Sequence, residues 1–465
     1  MADEYSTCDW PGVKDPWIGV SVDMGALQTI VSQFFRIPTS QCGPPVPVGL
    51  HQNGNYGRVY SFVLPSQVVV ARLVAPVKPL FKTECEVAAM NFVRRYTSCP
   101  VPFVYVYCSE SSNPVGAEWI LMEHVPGLEL DQAWNQMKYP QKQNLARNLA
   151  DVYDQLCRLR ANACGGIYHS VHSIDSSDLS ARSPRWQPLS AESLQLLRSH
   201  TSSPVRDGYK LGPIQDSSLV NFRLAVPTAS QTMPTFSSKE YVKLVAFNGL
   251  PPTRSKYDLP TREKCVQLFE SICGFYPSSS LFGSLVGNPY FYFSHGDFHD
   301  GNILVDPESG SITGIIDWEA AGFRPLWAEI HGVGWFEEDH HRFLRGDENP
   351  ENFEDDADSD LQLRAFFRRE LYQKNPDLFY CFFGGVELRA TFQAAADSPR
   401  PVGKSHIYLE KYHRLGYWAE RRGDFPWDMV AWLNARFDLD EEWTRAELAE
   451  SSCADSGLGA AQFSF

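Results

Sequence analysis

Apolar positions from about 47 to 125 fall in short β-rich runs rather than at helical spacing. Val59 to Leu64 and Val68 to Leu73 are rich in β-branched residues and are separated by Pro65-Ser66, which predicts two strands joined by a turn. Thr83 to Tyr96 changes period: Glu86, Met90 and Val93 stand at i, i+4 and i+7, so they share one face of a predicted helix. After Pro100-Val101-Pro102 come two more β-rich stretches, Val104 to Cys108 and Trp119 to Glu123. Two strands, a helix and two strands form a small α+β unit over 47–125, preceded by an extension, 1–46, with room for a short helix between Ile18 and Ile37.

Beyond Gly127 the pattern becomes helical. Leu145, Leu149, Val152, Leu156 and Leu159 repeat at helical spacing, with Pro140 placed for the first turn. Residues 164–260 are rich in Ser, Pro and Gly and read as an irregular insertion with short helices. Arg262 to Cys273, 326–345, 361–395 and pieces of 405–447 again look helical, which makes 126–450 a second, larger unit ahead of a small, polar tail at 451–465.

Composition narrows the function classes. Of 465 residues, 43% are hydrophobic and 21% charged, as expected of a globular chain. The 41 basic and 56 acidic residues leave a net charge of −15, which argues against nucleic-acid or anionic-membrane partners that need clustered Lys and Arg. The 11 cysteines include no C-x-x-C pair and are odd in number, so reduced thiols in a cytoplasmic protein are expected. Eight acidic and no basic residues fall between Asp347 and Asp360, a solvated stretch that would also attract a cationic ligand.

The chemistry concentrates in His295-Gly-Asp297-Phe-His299-Asp300-Gly-Asn302-Ile-Leu-Val-Asp306, which continues to Ile315-Ile316-Asp317-Trp318-Glu319. Ile303 to Asp306 and Ser311 to Ile316 are short strands around the turn Pro307-Glu308-Ser309-Gly310. That hairpin would bring Asn302 beside Asp317, with Asp297 five residues upstream. Phosphoryl transfer needs such a set: one carboxylate, Asp297, to orient and deprotonate an attacking hydroxyl, and a carboxylate with an amide oxygen, Asp317 and Asn302, to hold Mg²⁺ against nucleotide phosphates. The interval from Asp297 to Asn302 equals that of the protein-kinase catalytic loop.

H-G-D-x-H-x-x-N followed by I-I-D-W-E resembles the signature of the aminoglycoside phosphotransferase and choline kinase-like family, in its longer fungal-type form. The resemblance covers about 50–335. It implies a two-lobed protein-kinase-like α+β fold, with a small β-rich N-terminal lobe and a larger, mainly helical C-terminal lobe. It also implies ATP and Mg²⁺ as cofactors and a hydroxyl-bearing small molecule as acceptor. Gly54-Asn55-Tyr56-Gly57-Arg58-Val59-Tyr60 is similar to the family's glycine-containing nucleotide loop. Trp119 to Gly127 is similar to its hinge, where backbone groups around Glu123 and Val125 would meet adenine. Arg72, within Val69-Val70-Ala71-Arg72-Leu73, stands where kinases carry the phosphate-binding Lys, and Glu86 is its expected helix partner.

Other residues have plainer expected roles. His295 orients the loop through a backbone bond, Asp306 caps the hairpin turn, Trp318 packs, Glu319 forms a salt bridge and Asp300 is a solvated loop residue. His299 either holds the loop or contacts phosphate. Two alternatives stand beside the kinase reading. One is an inactive nucleotide-binding scaffold, suggested by Arg72. The other is a metal-dependent hydrolase built on His295, Asp297 and His299, whose spacing can share a strand face.

Overall fold

The computed structural model describes residues 16–48, 57–170, 183–201, 204–206, 208–215, 237, 240–241, 243, 290–328, 357–376 and 378. The expected helices at 262–273 and 405–447, the first three residues of the glycine-containing loop, most of the acidic stretch and the tail lie outside them. The architecture is α+β, as expected.

The first lobe is built on a five-stranded antiparallel sheet of β1 (Val46–Pro47), β2 (Gly57–Val63), β3 (Val68–Val74), β4 (Val104–Cys108) and β5 (Glu118–Glu123), in the order β1-β2-β3-β5-β4. Strands β2 to β5 fall within one or two residues of the stretches the sequence predicts, while β1 was not expected. Helix α1 (Met24–Phe34), capped by the Asp23 carboxylate on Ala26 N–H at 2.9 Å, covers one face through Leu27, Ile30 and Val31. Helix α2 (Phe81–Tyr96) covers the other.

Strand β6 (Leu128–Glu129) and the one-turn helix α3 (Leu130–Ala133) follow the hinge and lead to α4 (Tyr139–Cys157), which has Pro140 in its first turn and the expected leucine stripe buried. Next come β7 (Arg160–Ala161), β8 (Gly165–His169), α5 (Ala191–His200), β9 (Pro204–Arg206) and β10 (Tyr209–Gly212). The chain resumes with β11 (Phe291–Ser294), β12 (Ile303–Asp306), β13 (Ser311–Ile315), β14 (Gly322–Arg324) and α6 (Ala357–Lys374).

The insertion corrects the sequence reading. Instead of irregular chain, β8, β9 and β10 join β7, β11 and β14 in a six-stranded sheet, ordered β7-β11-β14-β8-β10-β9. The described part of the second lobe is therefore less helical than expected. This sheet packs on the side of α2 away from the first, and every residue from Phe81 to Val93 is buried. Phe92 fixes the contact, with ring centroids 5.1 Å from Tyr209, 5.3 Å from Phe293 and 5.9 Å from Phe323. A helix predicted to bury one face buries every side up to its last turn, because an element distant in sequence supplies the second wall.

Candidate active site

Three short pieces of chain converge at one end of a three-stranded sheet ordered β13-β12-β6. The β12–β13 hairpin pairs Ile303 with Ile315, and Ile316 N–H donates to Asn302 O at 3.0 Å, so Asn302 and Asp317 are brought together as the turn predicts. Asp306 accepts from Glu308 N–H at 3.1 Å and from the Ser309 hydroxyl at 2.7 Å, which holds the turn shut. Strand β6 pairs with β12, so the segment after Glu123 and Val125 runs directly onto this hairpin.

The loop bearing Asp297 is set by its neighbours. Gly296 has φ +83°, and a Cβ there would collide with the Ala320 carbonyl, so only glycine lets this loop close against the turn after Asp317. His295 is 2% exposed and its Nε2–H donates to Ile316 O at 2.8 Å. Burial lowers its pKa to about 4, so the ring is neutral and serves as the expected brace. Asn302 donates through Nδ2 to Asp297 O at 2.8 Å, which leaves its amide oxygen as an acceptor able to meet a cation. His299 Nδ1 accepts from Gly301 N–H at 3.1 Å, and its Nε2 lies 3.8 Å from Asp297 Oδ2; a loop-holding role is therefore directly visible. The His295-Asp297-His299 alternative is not assembled: the His295 nitrogen is used on the backbone, and no metal-competent cluster of three His, Cys, Asp or Glu occurs among the described residues.

Asp297 is half exposed, whereas Asp317 is 31% exposed and takes a left-handed backbone, φ +62° and ψ +60°. Asp tolerates that region better than most residues, and such strain persists where surrounding contacts impose it. Asp300 departs from expectation. It is partly buried, with Oδ1 lacking a partner, and burial raises its pKa to about 6.

Arg72 reaches this hairpin from β3. Its Nη1 lies 2.6 Å from Asp317 Oδ1 and 3.5 Å from Glu86 Oε1, while Nη2 bonds Glu319 Oε2. Glu86 is the helix partner expected, and Glu319 forms the expected salt bridge. Burial opposes the charge on Arg72, but Asp317, Glu86 and Glu319 together outweigh it and hold the guanidinium ionised. Burial would likewise raise the Asp317 pKa; Arg72 overcomes it and keeps the carboxyl below its usual range. Glu86 is raised instead, since it is fully buried, is the more distant of the carboxylates, and has Oε2 unpartnered.

Space for the larger arginine comes from Gly57. A Cβ at this position would sit 2.9 Å from Arg72 Nε and 3.2 Å from its Cζ. At the hinge, Glu123 spends both its N–H (2.8 Å) and its carboxylate (3.0 Å) on the Phe103 backbone. Val125 rests against Gly314 of β13, so both hinge residues are tied to strands rather than loose. Trp318 is fully buried, with Nε1–H on Ile315 O at 2.8 Å. Reading the sequence missed Lys82, whose Nζ lies 2.9 Å from Glu319 Oε2. Its position four residues before Glu86 was the available signal.

A hard-oxygen donor set of one carboxylate and one amide, at a partly exposed edge, fits Mg²⁺. The geometry brings Asp297, Asn302, Asp317, Arg72 and Glu86 together, with Glu123 and Val125 at the adjoining hinge.

Residues 286–361 match the model of the phosphotransferase enzyme family, APH. The chain is 24% identical over 393 residues to a subtelomeric hrmA-associated cluster protein of Aspergillus fumigatus, covering 77% of this chain and 71% of that protein. It is 31% identical over 107 residues to altered inheritance of mitochondria protein 9 of Saccharomyces cerevisiae, which is 21% of this chain and 17% of that one. Among solved structures, a thermostable mutant of aminoglycoside phosphotransferase APH(4)-Ia in its apo form is similar at TM-score 0.42 and 14% identity, covering 86% of this chain and all of the other. The GDP and kanamycin complex of APH(2")-IIIa gives TM-score 0.39 and 13% identity, covering 90% and 98%. The family match spans the segment that holds H-G-D-x-H-x-x-N and I-I-D-W-E, so over 286–361 the chain is similar to the phosphotransferase enzyme family.

Proposed function

We propose that the protein transfers the γ-phosphoryl group of ATP to a hydroxyl of a small-molecule acceptor. The observation that carries this reading is the convergence of Asp297, Asn302 and Asp317 on one hairpin edge, with Arg72 reaching the same edge from the other lobe. Asp297, half exposed, orients the acceptor hydroxyl and takes its proton. Asn302 and Asp317 would hold Mg²⁺, which neutralises phosphate charge when bound. Arg72, fixed by Glu86, Asp317 and Glu319, supplies positive charge at that edge in a chain of net charge −15. Hinge backbone groups at Glu123 and Val125 would receive adenine. His295 keeps the loop in place without titrating near neutrality.

One observation favours a second reading, the inactive scaffold: the Arg72 fork is occupied by Asp317 and Glu319. A single experiment separates the two. ATP consumption is followed with Mg²⁺ across a panel of alcohols that includes aminoglycosides, choline and sugars, in parallel with thermal shift. The phosphotransferase reading expects Mg²⁺-dependent stabilisation by ATP together with acceptor-dependent ADP release. Stabilisation without turnover on any alcohol supports the scaffold, and no shift at millimolar Mg·ATP refutes both.

A further inference from the structure

Lys82 has no part in the reading above. It sits in the first turn of α2, on the Glu86 face, with 5% of its side chain exposed. Its ammonium lies 2.9 Å from Glu319 Oε2, the same oxygen that Arg72 Nη2 bonds. A buried ammonium is costly unless it is paired. Here two cations from different elements, β3 and α2, converge on one carboxylate from the Asp317 turn. Two positive side chains, Arg72 and Lys82, thereby face three negative ones, Glu86, Asp317 and Glu319.

A single guanidinium among three carboxylates has several good bidentate poses, because its planar fork suits each of them. Lys82 removes that ambiguity by neutralising Glu319 and holding its Oε2 on the α2 side. We propose that Lys82 is a positioning residue for the phosphate site: it fixes Glu319, and through Glu319 the orientation of the Arg72 fork between α2 and the Asp317 hairpin. This rests on the phosphotransferase reading and deepens it. An arginine can stand where a phosphate-binding lysine is usual because a second, buried lysine sets its pose.

The test measures Mg·ATP affinity by isothermal titration for the wild type, Lys82→Met, Lys82→Arg, Glu319→Gln and the double variant Lys82→Met/Glu319→Gln. Lys82→Met should weaken Mg·ATP about tenfold, the scale of losing one charge-assisted contact. Lys82→Arg should recover most of that loss. The double variant should bind within about threefold of Glu319→Gln alone, since without a charged Glu319 there is nothing for Lys82 to hold. A lysine that merely braced α2 would lower Tm and leave the affinity of the folded protein unchanged; that result overturns the proposal, as does strict additivity in the double variant. A wild type that fails to bind Mg·ATP at all refutes the phosphotransferase reading before any variant is compared. Binding by the wild type with an unaffected Lys82→Met refutes only the role of Lys82.

Discussion

The hairpin edge and the ion cluster behind it meet at Asp317 yet are built on opposite principles. Asp297, Asn302 and Asp317 come from 21 consecutive residues and are placed by turns and local backbone bonds; Asp297 keeps half its surface in water. Arg72, Lys82, Glu86 and Glu319 come from three elements, and none exposes more than 14% of its side chain. Exposed groups can exchange ligands and protons cheaply, whereas buried ions are held by partners that cannot be removed singly without a large cost. The site thus pairs an exposed, locally built edge with a buried ionic wall.

The contrast predicts which variants lose chemistry and which lose the fold. Asp297→Asn should reduce turnover by roughly 10³-fold, in the range of a lost general base, while Tm and Mg·ATP binding stay unchanged. Single-turnover kinetics with calorimetry checks this, and a fully active variant sinks the assignment of the base. Arg185→Met probes the buried side. Arg185 donates to both Glu84 oxygens at 2.8 and 2.6 Å and anchors the insertion against α2, where Glu84 is 2% exposed. Breaking the pair strands a buried carboxylate that retains only Tyr107 (3.1 Å) and Ser109 (2.6 Å). A loss of about 3 kcal/mol in chemical denaturation is expected. Gly57→Ala should have a smaller effect, about 1–2 kcal/mol of overpacking against Arg72, and should raise KM for ATP more than it lowers kcat.

The same contrast explains what could be read in the sequence. The hairpin was legible because its geometry is local: Pro307 to Gly310 fixes the turn, and strand pairing then dictates that Asn302 meets Asp317. Strands β2 to β5 were legible because β-branched and aromatic runs are bounded there by Pro-containing turns. Strands β8 and β10 were not. Gly165-Gly166-Ile167-Tyr168-His169 and Tyr209-Lys210-Leu211-Gly212 are short, glycine-bearing and without a polar face, because β8 is buried throughout and β10 mostly so. Lys82 was overlooked for a related reason. A lysine in a helical first turn reads as solvent-facing until a second sheet and the Asp317 turn close over it. Asp300 reads as solvated for want of any local sign of its burial.

The smallest expected effect tests whether a buried carboxyl outside the ion cluster also relies on charge. Glu118, 4% exposed, accepts from Leu80 N–H at 2.7 Å and from the Thr83 hydroxyl at the start of α2. Burial, with the neighbouring Glu84, raises its pKa to about 8 against an ordinary value of 4.5. A native state that holds its proton more tightly than the unfolded chain gains stability that is fully present below pH 4.5 and is lost as the pH rises through 8. His295 and Glu86 shift stability mainly below about pH 7, so the interval from 7 to 8 isolates Glu118. The wild type should lose about 1 kcal/mol across that interval. Glu118→Gln, neutral at every pH and still able to accept from Leu80, should be flat there and more stable than the wild type at pH 8. A parallel slope in both proteins would show that Glu118 is ionised in the folded state. In that event the first turn of α2 would depend on a buried charge, as the cluster around Arg72 does, and the division between a charged wall and a neutral helix cap would fail.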